Sequence, residues 1–149
     1  MGTLYQSFIE MGEIFVRASS EVEMIAAGVS LAADLESGDV VALNGQLGAG
    51  KTHFSKGIVA GLGSGDEVTS PTFALVQEYH GGSLPVFHFD FYRLDEVSEL
   101  LRLGWDEYFD EDGILLVEWA DKFPDVLPEG TRWFDLTIED DGSHVVTER

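Results

Sequence analysis

The chain of 149 residues carries 28 acidic against 8 basic side chains, a formal net charge of −20, and this acidity disfavours direct contact with DNA or RNA phosphates. No cysteine is present, which excludes disulfides, thiolate metal sites and a cysteine nucleophile. The length suits one domain with a buried core, no apolar run could span a bilayer and the N-terminus lacks a signal pattern, so we expect a single cytoplasmic domain without membrane contact.

The N-terminal part of the chain predicts a strand and then a helix. Residues 14–17 are typical of a short strand. Ser20 and Glu23 form a capping box, in which the serine oxygen accepts one backbone N–H and the glutamate reaches back to another, so a helix should begin here. Gly38 is placed to end that helix. Its broad apolar face should contain Val22, Ile25, Val29 and Ala32, flanked by Met24, Leu31 and Leu35.

A buried strand is predicted at residues 40–43, directly before the sequence GQLGAGKT at residues 45–52. This sequence fits G-x-x-x-x-G-K-[ST] without a mismatch. In this Walker A pattern, or P-loop, backbone N–H groups wrap phosphates, the lysine reaches the β/γ oxygens and the hydroxyl joins Mg²⁺. Residues 53–60 can continue as a helix whose dipole favours bound phosphate. The alternative is a glycine-rich turn with an accidental lysine.

The second half of the chain adds strands to this α/β pattern. Strands are predicted at residues 73–79, 85–89, 114–117, 133–138 and 145–147. Turn residues within the first pair and within the last pair predict two antiparallel hairpins, and residues 95–103 have helical spacing. We therefore expect an α/β fold of the P-loop NTPase type: a three-layer sandwich with a mixed sheet and antiparallel hairpins.

Two of the predicted strands end in a carboxylate, Asp90 after residues 85–89 and Glu118 after residues 114–117. Ligands of open α/β sheets bind at the carboxyl ends of the strands. Mg²⁺ held only by a P-loop hydroxyl and phosphates needs further oxygen ligands. Either carboxylate could be that further Mg²⁺ ligand. The apolar run before Glu118 is longer than the one before Asp90, which favours Glu118 as the Walker B carboxylate. The alternative for each is an ordinary carboxylate at the end of a strand.

Other polar patterns are weaker. Residues 110–113 fit the D-x-x-G of GTPases but precede a strand, whereas that motif should follow one. His88 and Asp90 share one strand face and could be read as a metal pair, although two ligands are too few. We expect His53 and His144, which have no evident partners in the sequence, to be surface or packing residues.

Four motifs occur together in one order and spacing: GQLGAGKT at 45–52, TSPTF at 69–73, HFDFYRL at 88–94 and VEW at 117–119. Over about residues 20–128 the chain therefore resembles the bacterial TsaE (YjeE) proteins. These are small ATPases needed, with TsaD and TsaB, to make threonylcarbamoyladenosine at position 37 of tRNAs that read codons beginning with A. The resemblance implies ATP and Mg²⁺ as cofactors, TsaD and TsaB as partners, and contact with tRNA only through that complex.

The resemblance also implies roles for individual residues. Lys51, Asp90 and Glu118 would be catalytic, with Asp90 required for hydrolysis. Glu118 and Thr52, with Asp90 beside them, would surround Mg²⁺. Residues 70–73 would form the switch loop, although from the residues alone a plain turn is equally possible. The nucleotide would be contacted by Gly45, Leu47, Gly48, Ala49, Gly50, Lys51 and Thr52 at the phosphates, by Ser20 and Glu21 at the adenine or ribose, and by Trp119 beside the site.

The chain departs from the TsaE pattern in two places. Gln46 stands where an aspartate usually follows the first P-loop glycine, so a negative charge near the phosphates is lost and the rate or pH dependence of turnover should differ. The region around residues 142–144 lacks an arginine often found there, and no role is carried over to it.

We expect a P-loop ATPase that hydrolyses ATP slowly alone and productively within a TsaD–TsaB complex. A small-molecule or nucleoside kinase is the main alternative, but such enzymes close an arginine-rich lid over the phosphate. The five arginines here, at 17, 93, 102, 132 and 149, form no cluster in the sequence. A nucleotide-gated binding module with negligible turnover is the third possibility.

Overall fold

The computed structural model describes residues 12–46, 48–65, 68 and 76–149, which form one seven-stranded sheet with helices on both faces. The strands are β1 (Glu13–Ala18), β2 (Val40–Gly45), β3 (Val76–Tyr79), β4 (Val86–Asp90), β5 (Ile114–Glu118), β6 (Arg132–Ile138) and β7 (His144–Glu148). The helices are α1 (Glu21–Ala32), α2 (Lys51–Gly61), α3 (Val97–Arg102) and α4 (Trp105–Tyr108). Single 3₁₀ turns follow at Phe91–Arg93, Ala120–Lys122 and Pro124–Val126.

The sheet is mixed, with strand order β1-β7-β6-β2-β5-β4-β3. Its centre is parallel, because β2 pairs with β5 and β6, and β5 pairs with β4, all in the same direction. At the two edges lie the antiparallel hairpins β3–β4 and β6–β7, with β1 added antiparallel to β7. Both predicted hairpins and the mixed sheet are confirmed, and the carboxyl ends of β2, β4 and β5 meet at one edge.

The core lies on both faces of the sheet, and β2 shows why. Its residues are buried on either side in strict alternation. Val41 and Leu43 pack with the cluster beneath α1 and α2, which contains Phe54, whereas Val40 and Ala42 pack with the cluster that contains Trp105. A strand covered on both faces must be apolar throughout, so the continuous apolar run at residues 40–43 indicated the centre of a three-layer sandwich.

Helices α1 and α2 pack against each other through glycine. A Cβ atom added to Gly57 would lie 2.0 Å from the carbonyl oxygen of Ile25, and one added to Gly28 would lie 2.2 Å from the carbonyl oxygen of Phe54. The backbones therefore approach more closely than any larger residue allows. This contact fixes α1 against α2, the helix that follows the P-loop.

The capping box at the start of α1 is confirmed. Ser20 Oγ accepts the Glu23 N–H at 3.2 Å, and Glu23 Oε2 accepts the N–H of Ser19 at 2.7 Å. The predicted end at Gly38 is wrong, because α1 stops at Ala32 and Gly38 lies in a later turn with φ of 94°.

The predicted apolar face of α1 is confirmed at Met24, Leu31 and Ala32 and wrong at Val22 and Val29. Val22 is 76% exposed and Val29 is 42% exposed, while the buried residues are Met24, Ala27, Gly28, Leu31 and Ala32. The close glycine contact with α2 selects this buried face, and the spacing of apolar residues alone did not reveal that contact.

The helix predicted at residues 95–103 is present as α3 and is followed by the separate short helix α4. The predicted strand at residues 73–79 is observed as β3 from Val76, and its first three residues lie outside the described part of the chain. Across the described residues, no helix is long and apolar enough to cross a membrane.

Candidate functional site

The loop between β2 and α2 owes its shape to two glycines. Gly48 and Gly50 have φ angles of 84° and 102°, in the left-handed region that residues with a Cβ rarely adopt. Helix α2 begins directly afterwards at Lys51, and none of the described side chains caps it. The N–H groups of its first turn are therefore open to an anionic ligand, and the helix dipole favours one.

Lys51 connects this loop to the end of β5. Its Nζ donates to the carbonyl of Gly45 and, at 3.2 Å, to that of Gln46, and it lies 4.3 Å from the centre of the Trp119 ring. Burial lowers the pKa of Lys51, and the charges of Glu118 and Asp90 oppose that shift. A partly desolvated cation is thus held at the base of the loop, where phosphate oxygens would be stronger acceptors than carbonyls.

The two predicted carboxylates lie side by side. Asp90 ends β4, Glu118 ends β5, and the two residues are direct partners in the parallel register. They are only 7% and 3% exposed. Asp90 Oδ1 accepts the Tyr92 N–H at 2.9 Å. Burial raises the pKa of Asp90 and the charge of Glu118 adds to this, while the Tyr92 hydrogen bond, His88 and Lys51 act in the opposite direction.

These groups surround a single cavity of about 660 Å³. Its lining residues are Glu21, Gly48, Gly50, Lys51, Thr52, His53, Asp90, Tyr92, Arg93, Glu118, Trp119 and His144. The wall thus combines a lysine, a hydroxyl, two buried carboxylates and a helix N-terminus.

This donor set fits a magnesium nucleotide. Mg²⁺ prefers one or two carboxylates, a hydroxyl, water and phosphate oxygens to a cage made only of protein ligands. The described residues contain no cluster of three or more histidine, aspartate or glutamate side chains able to hold a metal by themselves. The cavity offers Thr52, Asp90 and Glu118 among its side-chain oxygen donors.

Trp119 forms one wall of the cavity in an unusual backbone conformation. Its φ of 57° makes it the one described residue other than glycine with a positive φ, a conformation that costs about 1–3 kcal/mol and persists only when neighbouring contacts fix it. Here the Trp119 N–H donates to the Leu43 carbonyl at 3.0 Å. The ring lies 4.9 Å from that of Tyr92, centre to centre.

Two histidines, His53 and His144, also line the cavity. His53 Nε2 lies 3.5 Å from Glu21 Oε1, and His144 Nδ1 lies 2.9 Å from the Ala49 carbonyl oxygen. Because a carbonyl can only accept, Nδ1 of His144 carries the hydrogen. Both histidines, half-buried, therefore have partners that the sequence did not indicate, and both line the cavity.

The sequence also matches a known family over nearly its whole length. The family described as "Threonylcarbamoyl adenosine biosynthesis protein TsaE" matches residues 18–148. The chain belongs to the TsaE family. Among curated relatives, the TsaE protein of Bacillus subtilis is 44% identical over 119 residues, covering 80% of this chain and 74% of the relative. That of Haemophilus influenzae is 39% identical over 119 residues, covering 80% and 75%.

A solved structure agrees with this assignment. The crystal structure of YdiB from Bacillus subtilis superposes with a TM-score of 0.74 and 37% sequence identity, covering 89% of this chain and 82% of that one. The α/β fold predicted from the sequence pattern is therefore shown both by the sheet itself and by this neighbour.

Most residues that the resemblance to TsaE predicts for the site lie around the cavity. Its lining includes Glu21, Gly48, Gly50, Lys51, Thr52, Asp90, Glu118 and Trp119. Gly45 and Ala49 contribute carbonyls, to Lys51 and His144 respectively. Ser20 caps α1 and is not among the described lining residues. Leu47 and residues 70–73, the predicted switch loop, lie outside the described part of the chain.

Some lining residues were not predicted. Tyr92 and Arg93 follow Asp90 within the HFDFYRL motif, and His53 follows Thr52 directly, so their positions in the sequence could have indicated them. His144 offered no local signal, because it reaches the P-loop from β7, 95 residues away. His88 is not a lining residue, which argues against the weak reading of His88 and Asp90 as a metal pair.

Proposed function

We propose that this chain binds ATP with Mg²⁺ and hydrolyses it as a component of the machinery that makes N6-threonylcarbamoyladenosine at position 37 of tRNA, acting with TsaD and TsaB. Membership of the TsaE family supports the pathway. The main support for ATPase activity is that Lys51, Thr52, Asp90 and Glu118 all line the cavity at the N-terminus of α2.

In this proposal the P-loop and α2 bind the phosphates. The N–H groups of the loop and of the first turn of α2 donate to phosphate oxygens. Lys51 exchanges the carbonyls of Gly45 and Gln46 for the β/γ oxygens, where its charge counts most. The same residues that shape the loop, Gly48 and Gly50, keep side chains out of the way of the phosphates.

Thr52 and Glu118 would hold Mg²⁺, with Asp90 beside them. When bound, the cation would neutralise the negative charge that develops on the β- and γ-phosphate oxygens. Asp90 would orient the attacking water and accept its proton. Burial favours this role, because the raised pKa of Asp90 makes it a better proton acceptor than an exposed aspartate.

The partners are proteins in this proposal, and tRNA is reached only through them. A net charge of −20 opposes approach to tRNA phosphates, and it favours a partner surface that is basic. The proposed setting is the cytoplasm, where ATP energy would reset or remodel the complex.

The two alternatives remain distinct functions. A kinase would close several arginines over the transferred phosphate, whereas Arg93 is the one arginine that lines the cavity among the described residues. A binding module would bind ATP with similar contacts but would turn over negligibly.

Phosphate release measured with and without TsaD–TsaB tests the proposal, with Lys51→Ala as the control for contaminating ATPases. We expect slow release by the chain alone and faster release with both partners. Mg²⁺-dependent binding without release under either condition would favour the binding module. Transfer of labelled γ-phosphate to a small acceptor would favour the kinase.

A further inference from the structure

His88 lies behind the cavity, against the carboxylate of Glu118. It stands in β4 opposite Leu116 of β5, and Glu118 is two residues further along β5. On a shared sheet face such diagonal neighbours are within reach of long side chains. The His88 Nε2 atom lies 2.7 Å from Glu118 Oε2, and the two side chains are 1% and 3% exposed.

The second ring nitrogen of His88 is held as well. Nδ1 lies 3.1 Å from the Tyr79 hydroxyl, which lies 2.6 Å from Gln77 Oε1. The chain of contacts therefore runs from β3 through β4 to the end of β5. With both nitrogens engaged, the imidazole cannot rotate without breaking a buried hydrogen bond.

The direction of the bond to Glu118 follows from the chemistry of the acceptor. An ionised carboxylate can only accept, so Nε2 of His88 carries the hydrogen and donates it to Oε2. This holds whichever way the Gln77 amide is turned. Since the imidazole takes one lone pair of Oε2, Oε1 keeps both of its lone pairs and is the less encumbered oxygen that Glu118 can offer to a cation or to its bound water.

We propose that His88 is a positioning residue for Glu118: it fixes the carboxylate by its Nε2–H so that Oε1 faces Mg²⁺ of the nucleotide. The inference rests on the proposed function. His88 does not itself touch the nucleotide, because the described cavity lining does not include it.

The expected consequence concerns the metal more than the nucleotide. Hydrogen-bond partners that orient metal ligands typically contribute about 10–100-fold to metal affinity. Without the donor, the Glu118 carboxylate can rotate away from the productive orientation. The P-loop contacts to phosphate do not involve His88 and should persist.

Two amide variants separate this role from simple packing. His88→Gln places an amide nitrogen near the position of Nε2 and can still donate to Glu118, whereas His88→Asn reaches only the position of Nδ1. The non-hydrolysable analogue AMPPNP is titrated into the full chain by calorimetry, once across a Mg²⁺ series and once in EDTA. Tyr79→Phe, which frees Nδ1 and leaves the bond to Glu118, is measured alongside.

We expect His88→Asn to raise the Mg²⁺ concentration for half-maximal binding by about 10–100-fold, with affinity in EDTA unchanged. For His88→Gln this Mg²⁺ concentration should stay close to that of the wild type. For Tyr79→Phe it should lie between the values for the wild type and for His88→Asn. An unchanged Mg²⁺ requirement in the folded variants would overturn the positioning role. Equal losses with Mg²⁺ and with EDTA would overturn it too, because packing alone produces them. If the wild type binds without regard to Mg²⁺, the proposed function fails and this role fails with it.

Discussion

The ammonium of Lys51 lies 4.3 Å from the centre of the Trp119 ring, although the two residues stand at the start of α2 and just after β5. A cation over an aromatic face is stabilised by about 0.5–2 kcal/mol, more when water is excluded. The contact joins the P-loop to the strand end that carries Glu118, so the two halves of the candidate site are physically coupled through one pair of side chains.

Removing the lysine should remove phosphate binding. We expect Lys51→Ala to weaken binding of an ATP analogue at least about tenfold, since charge-assisted bonds to the β/γ oxygens contribute about 1.5–3 kcal/mol. Isothermal titration measures this. Lys56→Ala, at a half-buried lysine of α2 that does not line the cavity, is the control. Equal affinity for Lys51→Ala and wild type would remove the phosphate role of Lys51.

The two strand-end carboxylates should differ in their effects. Glu118→Gln should weaken Mg²⁺-dependent ATP binding, because a neutral amide is a poor ligand for a hard dication. Asp90→Asn should leave binding nearly intact and slow turnover by roughly a hundredfold, near 3 kcal/mol in the barrier.

Mg²⁺ titration at fixed ATP and single-turnover hydrolysis, run on both variants, separate the two roles. Loss of Mg²⁺ affinity in Asp90→Asn with retention in Glu118→Gln would mean that the roles are exchanged. The two variants form a matched pair, because each replaces one carboxylate oxygen by an amide nitrogen at the end of a neighbouring strand.

The acidity of the chain predicts its behaviour towards tRNA. With a net charge of −20, the pure protein should not bind tRNA at physiological salt, but it should co-elute with TsaD–TsaB when ATP is present. Gel filtration of the mixtures tests both statements. A salt-sensitive complex with tRNA alone would contradict the charge argument.

The contact between α1 and α2 should not tolerate a methyl group. An added Cβ at Gly57 would lie 2.0 Å from the Ile25 carbonyl oxygen, so Gly57→Ala should lower the free energy of unfolding by about 1–3 kcal/mol, despite the better helix propensity of alanine. Urea denaturation gives the value. Gly65→Ala is the matched control, because an added Cβ there meets nothing within 4 Å. Equal destabilisation by both changes would argue against a close helix contact.

Burial raises the pKa of Asp90, and the charge of Glu118 raises it further. The folded protein therefore holds the Asp90 proton more tightly than the unfolded chain does. Between the ordinary aspartate pKa of 3.8 and the raised value, folding takes up protons, so the ionisation of Asp90 lowers stability as the pH rises through this window. Above the window the destabilisation is complete.

Asp90→Asn should consequently be more stable than wild type at neutral pH, because an asparagine oxygen can still accept the Tyr92 N–H. The advantage should shrink as the pH falls through the window. Urea unfolding at a series of pH values measures this, and Asp112→Asn, at an exposed site, serves as the control. A gain in stability that does not depend on pH would rule out the ionisation of Asp90 as its cause.

The fold could be predicted largely from the sequence because its signals are local. The P-loop needs glycines at positive φ, α1 needs its capping box, and the central strands β2 and β5 need unbroken apolar runs. The family resemblance then predicted the roles of the individual site residues. Asp90 and Glu118 were identified as strand-end carboxylates, and the parallel register places them as direct partners.

The rest depended on contacts between residues distant in the sequence. Periodicity predicted the buried residues Met24, Leu31 and Ala32 of α1 but not the exposure of Val22 and Val29, because the glycine contact with α2 decides which side meets the core. His144 reaches Ala49 from the last strand, and His88 meets Glu118 only because β4 and β5 are neighbours in this register. The sequence alone thus determined the P-loop pattern, the carboxylates at the strand ends and the family. The tertiary structure decided which buried side chains contact them, because such partners are selected by strand order and packing distance.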